Sequence, residues 1–209
     1  MLVKICGIQT EEAAHTAASA GADFIGFVFA PSKRQIQPEA AKQIAKNIPQ
    51  HIKKVGVFVN EDAGKMQEIA AYVGLDYIQL HGDEPPETAE ALPYKIIKAF
   101  PVDPDHLEDI KEYPCDFYLL DSPFGKQRGG NGTQFDWNLT KQLALDSEKV
   151  ILAGGLKPSN ISEAIERTSP AAVDVSSGVE TDGEKNEQKI EAFIDNAKNN
   201  REDDTNGSK

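Results

Sequence analysis

The sequence predicts a single-domain α/β protein built as a (β/α)8 TIM barrel, and three observations lead there. Eight short runs rich in Val, Ile, Phe and Tyr recur along the chain. Most of them are continuously apolar, as strands covered on both faces must be, whereas half-exposed antiparallel strands would alternate. Amphipathic stretches separate them from end to end. A doubly wound open sheet is the main rival; it normally holds about five to seven strands and would have to discard at least one run.

Taken in order, the strand runs are "LVKIC", "DFIGFVF", "KKVGVFV", "DYIQLH", "YKIIKAF", "CDFYLLD", "KVILAGG" and "AAVDVSSG". The helical stretches between them include "TEEAAHTAASAG", "PEAAKQIAKNI", "NEDAGKMQEIAAYVG", "DEPPETAEAL", "PDHLEDIKEY", "NLTKQLAL" and "SNISEAIERT". Thr10, Asn60 and Ser159 are placed to cap helix N-termini, and Pro38 suits a first helical turn. The sixth crossover is the least regular, because the polar loop "SPFGKQRGGNGTQFDW" precedes its helix; a loop of that length usually has a task. The barrel is expected to occupy 1–199. The tail, 200–209, contains no apolar side chain and is expected to be disordered.

Composition narrows the function. The 209 residues are enough for one domain with a sizeable core. Thirty-four acidic against 22 basic side chains give a net charge of -12 and a pI near 4.8, which disfavours nucleic acid or an anionic membrane as partner. A small anionic substrate would then need a local positive pocket. No apolar run is long enough to span a bilayer and the N-terminus lacks a signal-peptide pattern, so the chain reads as cytoplasmic. Cys6 and Cys115 make no disulfide framework, and histidines at 15, 51, 81 and 106 have no metal-site spacing, so no metal is expected.

In a barrel of this type the chemistry sits at the C-terminal ends of the strands. That rule sorts the polar residues. Cys6, Arg34, Gln79, His81 and Asp121 fall at or near the catalytic end, while Cys115 and Asp116 fall at the other, where Asp116 is expected to be solvated. A free cysteine is most often a small buried hydrophobe, but Cys6 ends its strand just before Gly7. Lys4 shares a strand face with it and, if turned inward, would favour the thiolate. Asp121 closes an apolar run, where a carboxylate must be solvated, paired or working. Strands 1 and 6 are separated around the mouth, so a base and an acid there could act on different atoms of one substrate.

The loops "AGGLKPSN" and "SSGVETDG" follow strands 7 and 8, the positions where such barrels often hold phosphate on backbone amides. Gly154, Gly155, Ser177 and Gly178 are the candidates, with tight turns as the plainer account. Arg34 offers a guanidinium fork to a carboxylate or phosphate. His81 is either a satisfied loop histidine or a substrate contact. The "GGNG" run lacks any nucleotide-binding pattern and suits a cover over the mouth.

These segments together resemble the phosphoribosylanthranilate isomerase family: "KICG", "GFVF" with Arg34 downstream, "QLHGDE", "LLDS", "GGNGTQFDW", "LAGGLKPSN" and "VDVSSGVE", in the family's order over all but the tail. The resemblance implies a (β/α)8 barrel that performs an Amadori rearrangement in tryptophan biosynthesis on a small phosphorylated substrate, without cofactor. It implies Cys6 as general base, Asp121 as general acid, Arg34 near the anthranilate portion, and the loops carrying Gly154, Gly155, Ser177 and Gly178 on the phosphate; His81, at the same end, is expected among the substrate-binding residues. The chain departs from the family pattern at Lys33, where a proline is expected before the arginine, and at Asn131, where threonine or serine is common. The mechanism asks the acid and the base to be tuned in opposite directions, the thiol downwards. A sugar-phosphate epimerase on the same scaffold and a catalytically silent phosphate binder are the alternatives. A monomer is expected.

Overall fold

The computed structural model describes residues 1–102, 110–122, 136–143 and 145–199. Eight parallel strands close in sequence order: β1 (Leu2–Cys6), β2 (Phe24–Val28), β3 (Lys53–Phe58), β4 (Tyr77–Leu80), β5 (Lys95–Pro101), β6 (Phe117–Asp121), β7 (Val150–Leu152) and β8 (Ala172–Val175), with β8 pairing back onto β1. The (β/α)8 TIM barrel read from the sequence is the observed architecture. The helices are α1 (Glu11–Ser19), α2 (Pro38–Lys46), α3 (Ala63–Val73), α4 (Pro86–Glu90), α5 (Asn138–Gln142), α6 (Ile161–Thr168) and α7 (Glu187–Asn199). A two-stranded hairpin, β9 (Glu180–Thr181) and β10 (Glu184–Lys185), follows β8.

Two of the four helix-start signals act as expected. The Thr10 hydroxyl accepts from the Ala13 N–H, and Pro38 opens α2. The other two are displaced. Asp62, not Asn60, caps α3 by accepting from the Lys65 N–H. Asn60 instead sits in the left-handed region, gives its N–H to Glu84 and accepts the Asp83 N–H, tying two loops together. The residue before α6 is Asn160, whose side chain accepts from the Lys157 N–H in the preceding turn. The helix expected at 104–113 lies largely outside the described residues; its described end is a turn that buries Ile110 and Tyr113. The loop at 125–132, with Asn131, and the tail at 200–209 also lie outside them.

Alternation along each strand sends every second side chain into the barrel. At the end remote from the mouth the lumen is closed by Phe24, Tyr77 and Phe117, one from each of β2, β4 and β6, with ring centroids 5.6–6.3 Å apart. Ala172 of β8 joins the same cluster, and Val55, Ile97, Leu119 and Ile151 pack above it. Each aromatic follows an aspartate that reaches back to the preceding strand: Asp23 accepts from the Val3 N–H, Asp76 from the Lys54 N–H and Asp116 from the Ile96 N–H, all at 2.8 Å. Asp116 is therefore exposed but not merely solvated. It pins β6 to β5.

Two substitutions separate plug from pin. Phe24→Ala empties a buried site in the plug and is expected to lower the free energy of unfolding by about 3–5 kcal/mol, whereas Asp116→Ala removes one carboxylate-to-backbone bond at an exposed position and should cost about 1 kcal/mol. Urea unfolding of both variants, followed by circular dichroism, measures the difference.

Candidate active site

At the other end the inner face turns polar, and it does so from its centre upwards. Lys4, in the middle of β1, has no solvent exposure, and its Nζ donates to Asp174 Oδ1 of β8 at 2.8 Å. The two are register partners across the closing seam. Burial acts against the ammonium, but Asp174 and then Cys6 more than offset it, and its pKa is held above the ordinary value. Cys6 stands two residues further along the same face, buried and unoxidised. Burial pushes its thiol up; the Lys4 charge pulls it down, Asp174 pushes it up again, Lys185 lowers it, and the net direction is upwards. The downward tuning expected of this thiol is thus reversed here, because desolvation outweighs the neighbouring cation. Cys115 lies at the opposite end, half-buried, with its thiol pushed by burial up to about 12.

Arg34, on the loop after β2, crosses directly over Gly7: a side chain there would meet the Arg34 Cδ at 2.7 Å. Its fork is already engaged. Nε and Nη2 donate to the two carboxylate oxygens of Glu180 at 2.7 and 2.8 Å, and this bonding holds the guanidinium above its ordinary pKa. Glu180 also accepts from Lys185 Nζ at 2.6 Å. Burial alone would raise the Glu180 carboxyl, but the hydrogen bonds from Arg34 and Lys185 outweigh it and its pKa is lowered. The same pairing does not lift Lys185, whose greater burial draws its pKa down.

Across the mouth, the Asp121 Oδ1 accepts the Ser122 N–H at 2.8 Å, and Oδ2 faces His81 Nε2 at 3.6 Å. The Gln79 amide lies 2.9 Å from the other ring nitrogen, Nδ1. With that amide donating, the neutral ring carries its proton on Nε2, towards the carboxylate. The strand-4 loop that bears His81 is itself anchored: Lys98 Nζ donates to the Gly82 carbonyl at 2.6 Å and to Glu84 at 2.7 Å, and Glu84 accepts the Gly82 N–H.

Between Asp121 and the seam runs a crevice lined by Ser122, Gly154, Gly155, Asp174, Ser176, Ser177 and Gly178. Gly154 and Gly155 both have positive φ, 76° and 65°, which turns the chain sharply after β7. Among the described residues, neither gives its backbone N–H to another protein group. Gly178 admits no side chain, since a Cβ would run into the Leu156 carbonyl oxygen. The loops after β7 and β8 are consequently in backbone contact.

Eight residues were expected at this site from sequence, and all eight are placed at this end of the barrel. Cys6 with Arg34, Asp121 with His81, and Gly154, Gly155, Ser177 and Gly178 form three neighbouring groups. Sequence reasoning omitted Asp174, Glu180 and Lys185. The signal for Asp174 was present: a charge inside the apolar run "AAVDV" needs a partner, and the charge inside "LVKIC" was the obvious one. Among the described residues no cluster of three His, Cys, Asp or Glu side chains is arranged to hold a metal ion, and no helix is long and apolar enough to cross a membrane.

The family described as N-(5'-phosphoribosyl)anthranilate (PRA) isomerase matches residues 3–196. The chain belongs to that family. Relatives of that name from Listeria monocytogenes serotype 4b and Bacillus mycoides are 49% identical over 199 residues and 50% identical over 200, each covering 95% of this chain and 98% of the relative. Among solved structures, the phosphoribosyl anthranilate isomerase from Thermus thermophilus superposes with a TM-score of 0.87 at 39% identity, covering 96% of this chain and all of the other. A phosphoribosyl anthranilate isomerase in complex with reduced 1-(o-carboxyphenylamino)-1-deoxyribulose 5-phosphate superposes at 0.82 with 40% identity, covering 95% and 100%.

The Arg34–Glu180–Lys185 cluster carries a pH signature. A carboxyl whose folded pKa lies below its unfolded value contributes stability above the unfolded pKa, near 4.5, and loses it as pH falls through the folded value. Below about pH 4.5, the wild type is therefore expected to lose stability more steeply than Glu180→Gln, which has no carboxyl to protonate; urea midpoints measured from pH 7 down to about 3 test it.

Proposed function

We propose that this member of the phosphoribosylanthranilate isomerase family converts N-(5-phosphoribosyl)anthranilate to 1-(2-carboxyphenylamino)-1-deoxyribulose 5-phosphate by an Amadori rearrangement, with Asp121 as general acid and Cys6 as general base. The observation that carries the assignment is that Cys6 and Asp121, from strands on different sides of the barrel, both end on its inner face at one mouth. The relative holding a reduced form of that product, at 40% identity, supports the substrate class.

The chemistry follows from the geometry. Asp121 gives a proton to the ribose ring oxygen, and the ring opens to a Schiff base with positive charge beside C2. His81, with Nε2–H towards Oδ2, faces the carboxylate that remains. The positive charge acidifies the C2 proton, which Cys6 removes to leave an enolamine; tautomerisation gives the ketone. The same substrate cation also favours the thiolate, against the upward push of burial. No electrons leave the substrate, so the rearrangement needs no nicotinamide or flavin.

The N–H groups of Gly154 and Gly155, which among the described residues bind no other protein group, suit the phosphate together with the backbone of Ser177 and Gly178 across the crevice. Arg34 would meet the anthranilate carboxylate with the edge of its guanidinium that Glu180 leaves unused. Glu180 thereby sets the direction in which the arginine points. We read the enzyme as cytoplasmic and monomeric.

Loss of anthranilate-type fluorescence, with the labile substrate generated in situ, tests the assignment. Cys6→Ser is expected to lose most turnover while keeping its fold, Cys115→Ser to retain it, and Asp121→Asn to lose turnover by a large factor with much of the substrate affinity kept. Wild-type turnover in the Cys6 variant would remove the thiol from its role as base. For oligomeric state, sedimentation equilibrium should give one species of 22.8 kDa, since Leu2 and Tyr72 are the large hydrophobics exposed among the described residues and lie on separate elements. A species of twice that mass would make the chain a dimer, the state described for the Thermotoga maritima enzyme.

A further inference from the structure

Lys4 is an unusual occupant of a barrel interior. Lysine is rarely buried without a partner, because an ammonium loses its hydration there. Asp174 answers that need at 2.8 Å, but the placement of the pair asks for more than mutual neutralisation. Lys4 lies one step below Cys6 on the same strand and the same face. The register partner of Cys6 on β2 is Gly26, and a side chain there would come within 3.0 Å of Cys6 Sγ and 3.2 Å of Lys4 Nζ. Thiol and ammonium share the space that this glycine leaves.

The other charged groups near the thiol fall into two sets, one of them Asp174 facing Lys4 and the other two cations sharing a single carboxylate. Asp174 approaches from β8, where it neutralises Lys4. Lys185 from the hairpin and Arg34 from the loop after β2 approach at the mouth, where Glu180 binds both. From β2 itself, Gly26 presents no group at all. Among the described residues Lys4 is thus the cation on the inner side of Cys6, remote from water, while Lys185 and Arg34 lie on its mouth side.

We propose that Lys4 is a positioning residue for Cys6: held by Asp174 beneath the mouth, its ammonium is the fixed positive charge against which the thiol takes on negative charge. It acts through Cys6 and does not touch substrate. The proposal deepens the assignment of Cys6 as base and rests on it.

The test reads the thiol directly. In a Cys115→Ser background, the rate of Cys6 alkylation by iodoacetamide is followed against pH, with thiolate absorbance as a second readout. Lys4→Met should slow alkylation at a fixed pH near 8 by about tenfold or more, the equivalent of one pKa unit. Asp174→Asn should speed it, because the anion that opposes the thiolate is gone. A structural role for the pair would not give opposite signs. Should Lys4→Met fail to fold, the Lys4→Met, Asp174→Asn double variant, which leaves no lone buried charge, is compared with Asp174→Asn alone and should again be the slower. A folded variant without Lys4 whose thiol titrates as in the wild type, or shifts of the same sign on removing either partner, would overturn the proposal. Turnover in Cys6→Ser would instead overturn the base assignment and leave the titration result standing, so the two failures are distinguishable.

Discussion

The buried ion pair between Lys4 and Asp174 is the constraint on which the mouth of this barrel depends. It joins the first strand to the last at the height where the lumen changes from hydrocarbon to polar side chains. A pair buried this deeply contributes little net stability compared with well-packed apolar residues, but breaking it by removing one partner is costly. Its presence is better understood through what surrounds it. Cys6 sits above Lys4, Asp174 opens onto the crevice shared with Asp121, and the Ser176 hydroxyl bonds to the Cys6 carbonyl across the same seam.

The two ends of the barrel are held by different physics. The closed end is stabilised by buried aromatic contacts and by aspartates that satisfy strand-edge amides. The mouth is held by charge. Glu84 and Lys98 fix the loop that carries His81, and Glu180 gathers Arg34 and Lys185. Lys98, Arg34 and Lys185 are each directed by a carboxylate of the protein itself, which limits the reorganisation that binding an anion would demand. A chain of net charge -12 can in this way present localised positive groups to an anion.

All eight barrel strands could be read from sequence because strands covered on both faces have little choice but to be apolar. Helix starts were less secure. Asn60 and Ser159 carry cap-forming side chains, but so do Asp62 and Asn160 close by, and tertiary contacts decided between them: Asn60 is drawn away by Glu84 and Asp83. The hairpin after β8 and the long last helix were not singled out. Cys6, Asp121 and the loop glycines could be assigned to the mouth because strand direction sorts residues between the two ends. Arg34 could be placed at the mouth without its partner, since no local pattern shows that a glutamate 146 positions away will bind it. The acidity of Cys6 could not be read either, as it is a balance of burial and Asp174 against cations brought in from separate parts of the chain.

The aspartate pins have one further meaning. Each of Asp23, Asp76 and Asp116 binds a strand only 20 to 22 residues earlier, so those links can form while neighbouring strands are being laid down. The eighth strand has Ala171 at the corresponding place and no such pin. Its attachment to β1 spans 170 residues, and the same span separates Lys4 from Asp174 and Cys6 from Ser176. The groups on the two sides of this seam are therefore brought together only when the ring is shut. In such a molecule enzymatic activity serves as a reporter of ring closure, and a chain that has folded everything except its seam would be well structured and inert.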